Sequence, residues 1–283
     1  MSRKLLFNKE VLPRRVGRLL LSPFSRKIRQ LRTLVRFWKE YLFAGEPELR
    51  ILKKFIRNNS VAIDVGGNSG TYTYHMSRLA ENVITFEPNP FFANMIRNFG
   101  LSRVNLQQVA LSGSEYEANL RIPLVGQNAE DQGMGSLECQ AVPNQKMSRE
   151  LKVLARSLDS YNLARVSFVK IDVEGHEEAV LQGAMETIRQ SRPVLLIEIE
   201  ERHNPGGLLR IFARLRSERY KAFFFDGKKL NFVSNMEEFG AKVGASTRNV
   251  RGAALYINNF IFIPDTNLEC RLGKTADSQR LKS

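Results

Sequence analysis

The 283-residue chain has few of the residues that build stapled or metal-bound folds: two cysteines and three histidines. Cys139 and Cys270 stand far apart, with no CxxC pair or Cys/His cluster beside either, which argues against a structural zinc site and a disulfide framework. A reducing, cytoplasmic compartment is therefore expected. No apolar run approaches the ~18 residues needed to span a bilayer. The short Leu19 to Leu21 stretch, set among arginines, lacks the apolar core and small-residue cleavage site of a signal peptide. Internal repeats and low-complexity tracts are also missing. Acids are scarce at one end: residues 1–39 carry 12 Lys or Arg against Glu10 alone, so +11 of the formal +14 sits there. The remaining +3 leaves the body of the protein nearly neutral, and the high total is not the mark of a nucleic-acid-binding domain.

What is present reads as a basic arm on one α/β body. Within residues 25–43, Ile28, Leu31, Leu34, Val35, Trp38 and Leu42 recur at three- or four-residue spacing between Arg and Lys, an amphipathic helix pattern. After the Gly45-Glu46-Pro47 break, Leu49, Ile51, Leu52, Phe55 and Ile56 predict a short helix ended by Asn58, Asn59 and Ser60. Short apolar runs then alternate with helix-length segments: Ser60–Val65, Asn82–Phe86, Val104–Val109, Val166–Ile171 and Val194–Ile199. This is the pattern of parallel strands covered on both faces. Residues 113–158 break it, and Tyr116 to Ile122 with Leu151 to Leu154 predict an inserted hairpin around a polar, Gly-rich loop from Gly126 to Asn144. Late strands are expected at Lys221–Phe225 and Ala254–Ile263. The expected division is an arm over 1–45, a catalytic domain over 46–268 and a disordered tail over 269–283.

In VAIDVGGNSG, residues 61–70, a buried strand runs into a Gly-rich turn with a helix starting near Thr71, where a Rossmann half-fold holds its nucleotide. Gly66, Gly67 and Gly70 allow positive φ and close approach to a ligand. Asp64 ends the strand and is placed to accept from a ligand ammonium. Glu87 ends the second strand in VITFEPNP, where a carboxylate takes two hydrogen bonds from a ribose diol. The turn departs from G-x-G-x-x-G, because Asn68 and Thr71 occupy the second and third glycine places, so NAD ranks behind a cofactor that joins adenosine to a cationic amino-acid end.

These segments resemble the FkbM family of methyltransferases, through DVGGNSGTYT at 64–73, FEPNP at 86–90, VALS at 109–112, SLDS at 157–160 and KIDVEGHEEAVLQGA at 170–184. RPVLLIEIE at 192–200 continues that last block, while GMGSL at 133–137 and NFIFIP at 259–264 match looser hairpin and C-terminal patterns. The resemblance runs over about residues 60–200 and leaves the arm and tail unmatched. It implies a class I Rossmann-like fold: a mostly parallel sheet, helices on both faces and an inserted β-hairpin. It also implies S-adenosylmethionine as cofactor and O-methylation of a sugar, glycan or other polar metabolite. Asn68 stands where class I methyltransferases at large carry a glycine. The expected cofactor-binding set is Asp64, Gly66, Gly67, Asn68, Gly70, Glu87 and Ala110.

Chemistry is expected beyond the carboxyl end of the fourth strand, at Lys170-Ile171-Asp172-Val173-Glu174-Gly175-His176-Glu177. Asp172 or Glu174 would orient the acceptor or act as base, Lys170 would stabilise the developing alkoxide, and His176 or His203 would take a proton. The expected catalytic set is Lys170, Asp172, Glu174 and His203, with the base left open. Glu198 and Glu200 end the fifth strand beside them, and no metal is expected. The Asn89-Pro90-Phe91-Phe92 segment superficially resembles an amine-gripping motif of nucleic-acid methyltransferases, yet it follows the second strand rather than the fourth. Nucleic acid is therefore the weaker acceptor class; an anionic membrane surface is the expected partner of the arm, whose Phe24, Phe37, Trp38 and Tyr41 fit an RNA-stacking platform as well. A non-catalytic scaffold is the reading from another class, and the paired acids Asp64 and Glu87 count against it.

Overall fold

The computed structural model describes residues 46–125, 129–130, 135–138, 148–235, 239 and 257–268. The amphipathic arm, the tail, much of the Gly-rich loop and residues 254–256 of the expected last strand lie outside the described residues.

The first apolar cluster forms not an α-helix but a 3-10 helix, Pro47–Lys54. Leu49, Leu52 and Phe55 recur every third residue, the 3-10 period, and all three are buried. The body then runs β1 (Val61–Val65), α1 (Thr71–Ser77), β2 (Asn82–Phe86), α2 (Pro90–Phe99), β3 (Val104–Gln107) and β4 (Ala110–Leu111). The inserted hairpin follows as β5 (Tyr116–Val125), β6 (Ala129–Glu130) and β7 (Ser148–Arg156). After it come β8 (Val166–Ile171), α3 (Glu177–Gln182), α4 (Met185–Ser191), β9 (Val194–Glu198), α5 (Gly207–Ser217), β10 (Tyr220–Phe225), β11 (Leu230–Phe232) and β12 (Asn259–Pro264). The run expected to end at Val109 stops as β3 at Gln107, and the separate β4 beyond it pairs with β7 in the smaller sheet.

The main sheet has the order β11-β10-β12-β9-β8-β1-β2-β3. From β9 to β3 every pairing is parallel, and β12 lies antiparallel between β9 and β10. Chain direction of travel reverses between β1 and β8, so a crevice opens beyond their carboxyl ends. Alternation along the strands sends Ile63, Val65, Val169 and Ile171 into one core, with Leu181 and Ile188 of α3 and α4 and Phe212 of α5. Ala62, Val83, Phe168 and Leu196 face the other core, with Met76 of α1, Leu52 and Phe55. Both faces are covered, as the continuous apolar strands require, and the class I Rossmann-like arrangement with its inserted hairpin is present.

Register does the rest of the positioning. Asp64 pairs with Thr85 on one side and with Lys170 on the other, and Lys170 pairs in turn with Leu196. Two ionisable groups thus sit side by side where β1 and β8 end. In the smaller sheet β5 pairs antiparallel with β7 from Tyr116 opposite Ala155 to Pro123 opposite Ser148. The Gly-rich loop is not wholly free of this sheet: the Ser136 N–H donates to the Arg121 carbonyl at 3.0 Å, and Arg121 returns the bond at 2.9 Å.

Candidate active site

The turn after β1 is shaped by what crowds it. Gly66 has φ 81°, and a Cβ there would meet the Asp172 carbonyl oxygen at 1.9 Å, so the glycine lets β8 approach rather than simply admitting a ligand. The left-handed residues are Gly66, Asn68 (φ 43°) and Gly70 (φ 86°), whereas Gly67 is not among them. Asn tolerates this region, which is why it can stand in the turn. The N–H groups of Gly66 and Gly67 both donate to the Phe86 carbonyl, at 2.9 and 3.2 Å, pinning the turn to β2. Gly70 packs against Phe99 and Ile96.

Glu87 is buried behind that turn. Its Oε2 accepts from the Asn68 N–H at 2.7 Å and its Oε1 from the Asn89 N–H at 2.8 Å. Burial pushes its carboxyl up to about 7 against the pull of those two donors. Asn89 is spent on the fold: its side-chain oxygen accepts from the Phe91 N–H at 3.0 Å and caps α2, with Pro90 at the first helical position.

Asp64 is 1% exposed. Its Oδ2 accepts from the Thr73 hydroxyl at 2.6 Å, while its Oδ1 is buried with no hydrogen-bond partner among the described residues. Burial raises its carboxyl to about 6, with Lys170 pulling the other way. Lys170 is itself buried, 2.8 Å from Asp172 Oδ2 and 4.6 Å from the centre of the Tyr72 ring. Burial works against its charge, yet Asp172, Glu46, Asp64 and Glu198 together outweigh it and hold the ammonium above its usual range. Glu198 is pushed up to about 9, first by burial and then by Asp172. Four acidic side chains thus crowd one lysine, and the raised Glu198 carboxyl is a strain that a further cation would relieve.

Three cavities meet here. A cleft lies over the ends of β1, β2 and β8. Gly66, Asn68, Glu87, Ala110, Asp172 and Glu174 are among its lining residues. A second cavity collects Glu46, Asp64, Gly67, Tyr72, Lys170 and Asp172. A third, polar basin includes Gly175, His176, His203, Asn204, Arg210 and Arg214. The expected residues are thus brought near one another, with three differences of placement. Gly70 lines none of the three, Lys170 lines the cavity with Asp64 but not the cleft, and His203 lines the basin alone.

The turn after β8 separates cleft from basin. Glu174 (φ 51°) and Gly175 (φ 100°) are both left-handed, which for a glutamate is a strained conformation. Three groups hold it: the Ser136 hydroxyl donates to the Glu174 carbonyl at 2.6 Å, Gly175 N–H donates to Glu177 Oε1 at 2.9 Å, and His203 Nδ1 lies 2.8 Å from Glu174 Oε2. His176 is engaged at both nitrogens, by Glu138 Oε1 at 2.6 Å and Ser112 Oγ at 3.0 Å. The hairpin therefore docks on this turn through Ser136 and Glu138. Sequence reasoning missed Glu46, Ser136 and Glu138, whose partners lie in other segments; the sole signals were GMGSL and the Gly45-Glu46-Pro47 break.

The sequence model of the FkbM methyltransferase domain matches residues 64–224, more than half of the chain. The chain belongs to the FkbM methyltransferase family. It is 25% identical over 192 residues to the hexuronic acid methyltransferase AglP of Haloferax volcanii, covering 66% of this chain and 75% of that one. It is 32% identical over 149 residues to Methyltransferase 1 of Beauveria bassiana, covering 44% of this chain and 59% of that one. A solved FkbM methyltransferase from Methylobacillus flagellatus overlays 84% of this chain and 59% of its own, with 14% identity and a TM-score of 0.45. This FkbM protein is an S-adenosylmethionine-dependent methyltransferase. Its own residues fit that cofactor: Asp64 Oδ1, buried with no hydrogen-bond partner among the described residues, calls for a donor, and the acids crowding Lys170 favour a cationic ligand.

Proposed function

We propose that this FkbM enzyme methylates a hydroxyl on a sugar, glycan or other polar metabolite, with cofactor and acceptor meeting at the turn after β8. The observation that carries this reading is the lining of the cleft at its β8 end: Asp172 and Glu174, hydrogen-bonding groups rather than an aromatic platform for a nucleobase. The name of the archaeal relative, a hexuronic acid methyltransferase, supports a sugar acceptor. Asn89 supports it indirectly, because its side chain is used to cap α2 and does not grip an amine.

In this reading Glu87 accepts from the ribose hydroxyls, with Ala110 and Leu111 beside the adenine. Asp64 Oδ1 accepts from the ammonium of the amino-acid end, and Lys170 faces its carboxylate. Gly66, Gly67, Asn68 and Gly70 shape the turn that brings these groups together. When bound, the cofactor supplies an electrophilic methyl on a cationic sulfur. Asp172 and Glu174 then hold the acceptor in line with it, where positioning gives much of the rate.

The body, residues 46–268, carries this chemistry. We assign the basic segment 1–45 to an anionic membrane surface, which would place the enzyme on the cytoplasmic face of a membrane, near a glycan or lipid-linked acceptor. Among the described residues no helix is long and apolar enough to cross a membrane. The test is S-adenosylhomocysteine release from S-adenosylmethionine with a panel of glycosides, nucleotide sugars, RNA and DNA. Release with sugar hydroxyls alone supports the reading, and release with nucleic acid alone overturns it.

A further inference from the structure

We propose that the polar basin behind the turn after β8 is the acceptor subsite for a glycosyl unit, with His203 as the catalytic residue that takes the hydroxyl proton and Glu174 as its positioning residue. This rests on the methyl-transfer reading above and adds where the acceptor sits and which group deprotonates it.

Two histidines border the turn, and their surroundings separate them. His176 has both ring nitrogens engaged, by Glu138 and Ser112, and serves to tie the hairpin and the segment after β4 to the turn. His203 has Nδ1 2.8 Å from Glu174 Oε2, and among the described residues no hydrogen bond is made by Nε2. In this proposal the proton sits on Nδ1, since two lone pairs at that distance repel. Nε2 is then the lone-pair nitrogen of the neutral ring, as a carboxylate behind an imidazole arranges in general.

The backbone is built around this pair. Glu174 is kept left-handed, and its carbonyl is fixed by Ser136. A Cβ at Gly175 would approach His203 Cβ and its carbonyl oxygen to 3.1 Å, so only glycine lets the histidine pack over the turn. Strain of this kind persists where the surroundings over-determine it, and it clusters at functional sites. Glu174 lines the cleft, His203 lines the basin, and His176 lines both, so the pair bridges the wall between them.

The basin's chemistry matches a sugar. Arg210 and the Asn204 amide both donate to Glu178, at 2.7 and 2.8 Å, and Arg210 donates to Asn204 Oδ1 at 2.7 Å, so a pre-arranged polar network lines the basin with Gln182 and Arg214 beside it. Hydroxyls on a ring both donate and accept, and planar amide, carboxylate and guanidinium groups answer them in pairs. In the reaction the acceptor oxygen forms the new C–O bond with the donor methyl while the C–S bond breaks and its electron pair stays on sulfur. The hydroxyl proton passes to His203 Nε2, and the imidazolium faces Glu174 until solvent takes the proton.

Three histidines make the imidazole nitrogens individually readable by 15N NMR. In the full chain at pH 8, with S-adenosylhomocysteine bound, His203 is expected as the Nδ1–H form, and its Nε2 resonance should move when p-nitrophenyl glucuronide or glucoside is added. Glu174→Gln should shift His203 toward the Nε2–H form. In turnover with whichever glycoside the unmodified protein methylates, His203→Gln should lose at least ~100-fold, the lower range for general base catalysis, with cofactor affinity kept. An Nε2–H form in the unmodified protein, or His203→Gln turnover within threefold, overturns the proposal. An unmodified protein that methylates none of the glycosides overturns the sugar reading on which it rests, a different result from an active protein indifferent to His203.

Discussion

Asp64→Asn separates the cofactor's demand on this site from the fold's. The substitution keeps an oxygen for the Thr73 hydroxyl, which now donates 2.6 Å to Oδ2, and removes the charge whose other oxygen is buried without a partner. In the folded protein Asp64 titrates at about 6 rather than the usual 3.8. The folded state therefore holds the proton more tightly than the unfolded chain. Stability from this group is fully present below pH ~4 and is lost as the pH rises through about 6. A rise of about two pKa units corresponds to roughly 3 kcal/mol. Asparagine mimics the protonated acid at every pH. The ligand-free variant should thus match the unmodified protein near pH 4 and exceed it at pH 7.5, by roughly 2–4 °C in Tm per kcal/mol for a body of this size. Cofactor binding should move the opposite way. Losing a charge-assisted hydrogen bond to the ammonium costs about 1.5–3 kcal/mol, or roughly 10- to 150-fold in Kd. Calorimetric titration with S-adenosylmethionine and thermal melts across pH 4–8 measure both. Unchanged affinity, or melting profiles that run parallel over that pH range, would refute the reasoning.

Glu87→Gln should weaken S-adenosylmethionine by about 1.5–3 kcal/mol, read by the same titration, because the two backbone donors already on the carboxylate fix it toward the cleft. Gly66→Ala should destabilise the fold by more than about 2 kcal/mol in denaturant melts, since a methyl at φ 81° meets the Asp172 carbonyl at 1.9 Å and the left-handed region alone costs roughly 1–2 kcal/mol. Flotation with liposomes should recover the full chain on anionic but not neutral vesicles, less so at high salt, and should not recover a chain lacking residues 1–39. Equal flotation of both chains would remove the membrane role of the arm.

The layered part of the fold was legible because burial on both faces leaves continuous apolar runs, and those of β1, β2, β8 and β9 fall within a residue or so of their expected ends. Asp64 and Glu87 were legible for a related reason: a strand's end and the turn after it are local in sequence. What was not legible depends on partners far apart in the chain. Ser136 and Glu138 reach residues 38 positions away, and no periodicity records such pairings. The glycine roles were half visible. Gly66 was read as making room for a ligand, but the nearest claim on its space is the Asp172 carbonyl, and the positive φ expected at Gly67 falls on Asn68 instead. A short helix was legible at Leu49 to Ile56 but its 3-10 type was not, because Leu49, Ile51, Leu52, Phe55 and Ile56 satisfy three- and four-residue spacings equally well.

The account stands on a hydroxyl being methylated at the cleft's β8 end. Incubating the full chain with methyl-labelled S-adenosylmethionine and a mixed panel of p-nitrophenyl glycosides, nucleotide sugars and RNA, then locating the label by mass spectrometry, tests that directly. The account predicts one labelled methyl on a sugar oxygen, lost when Asp64 and Glu87 are both replaced by alanine. Label on a nucleobase, or transfer to sugar that survives the double replacement in a folded protein, would contradict it.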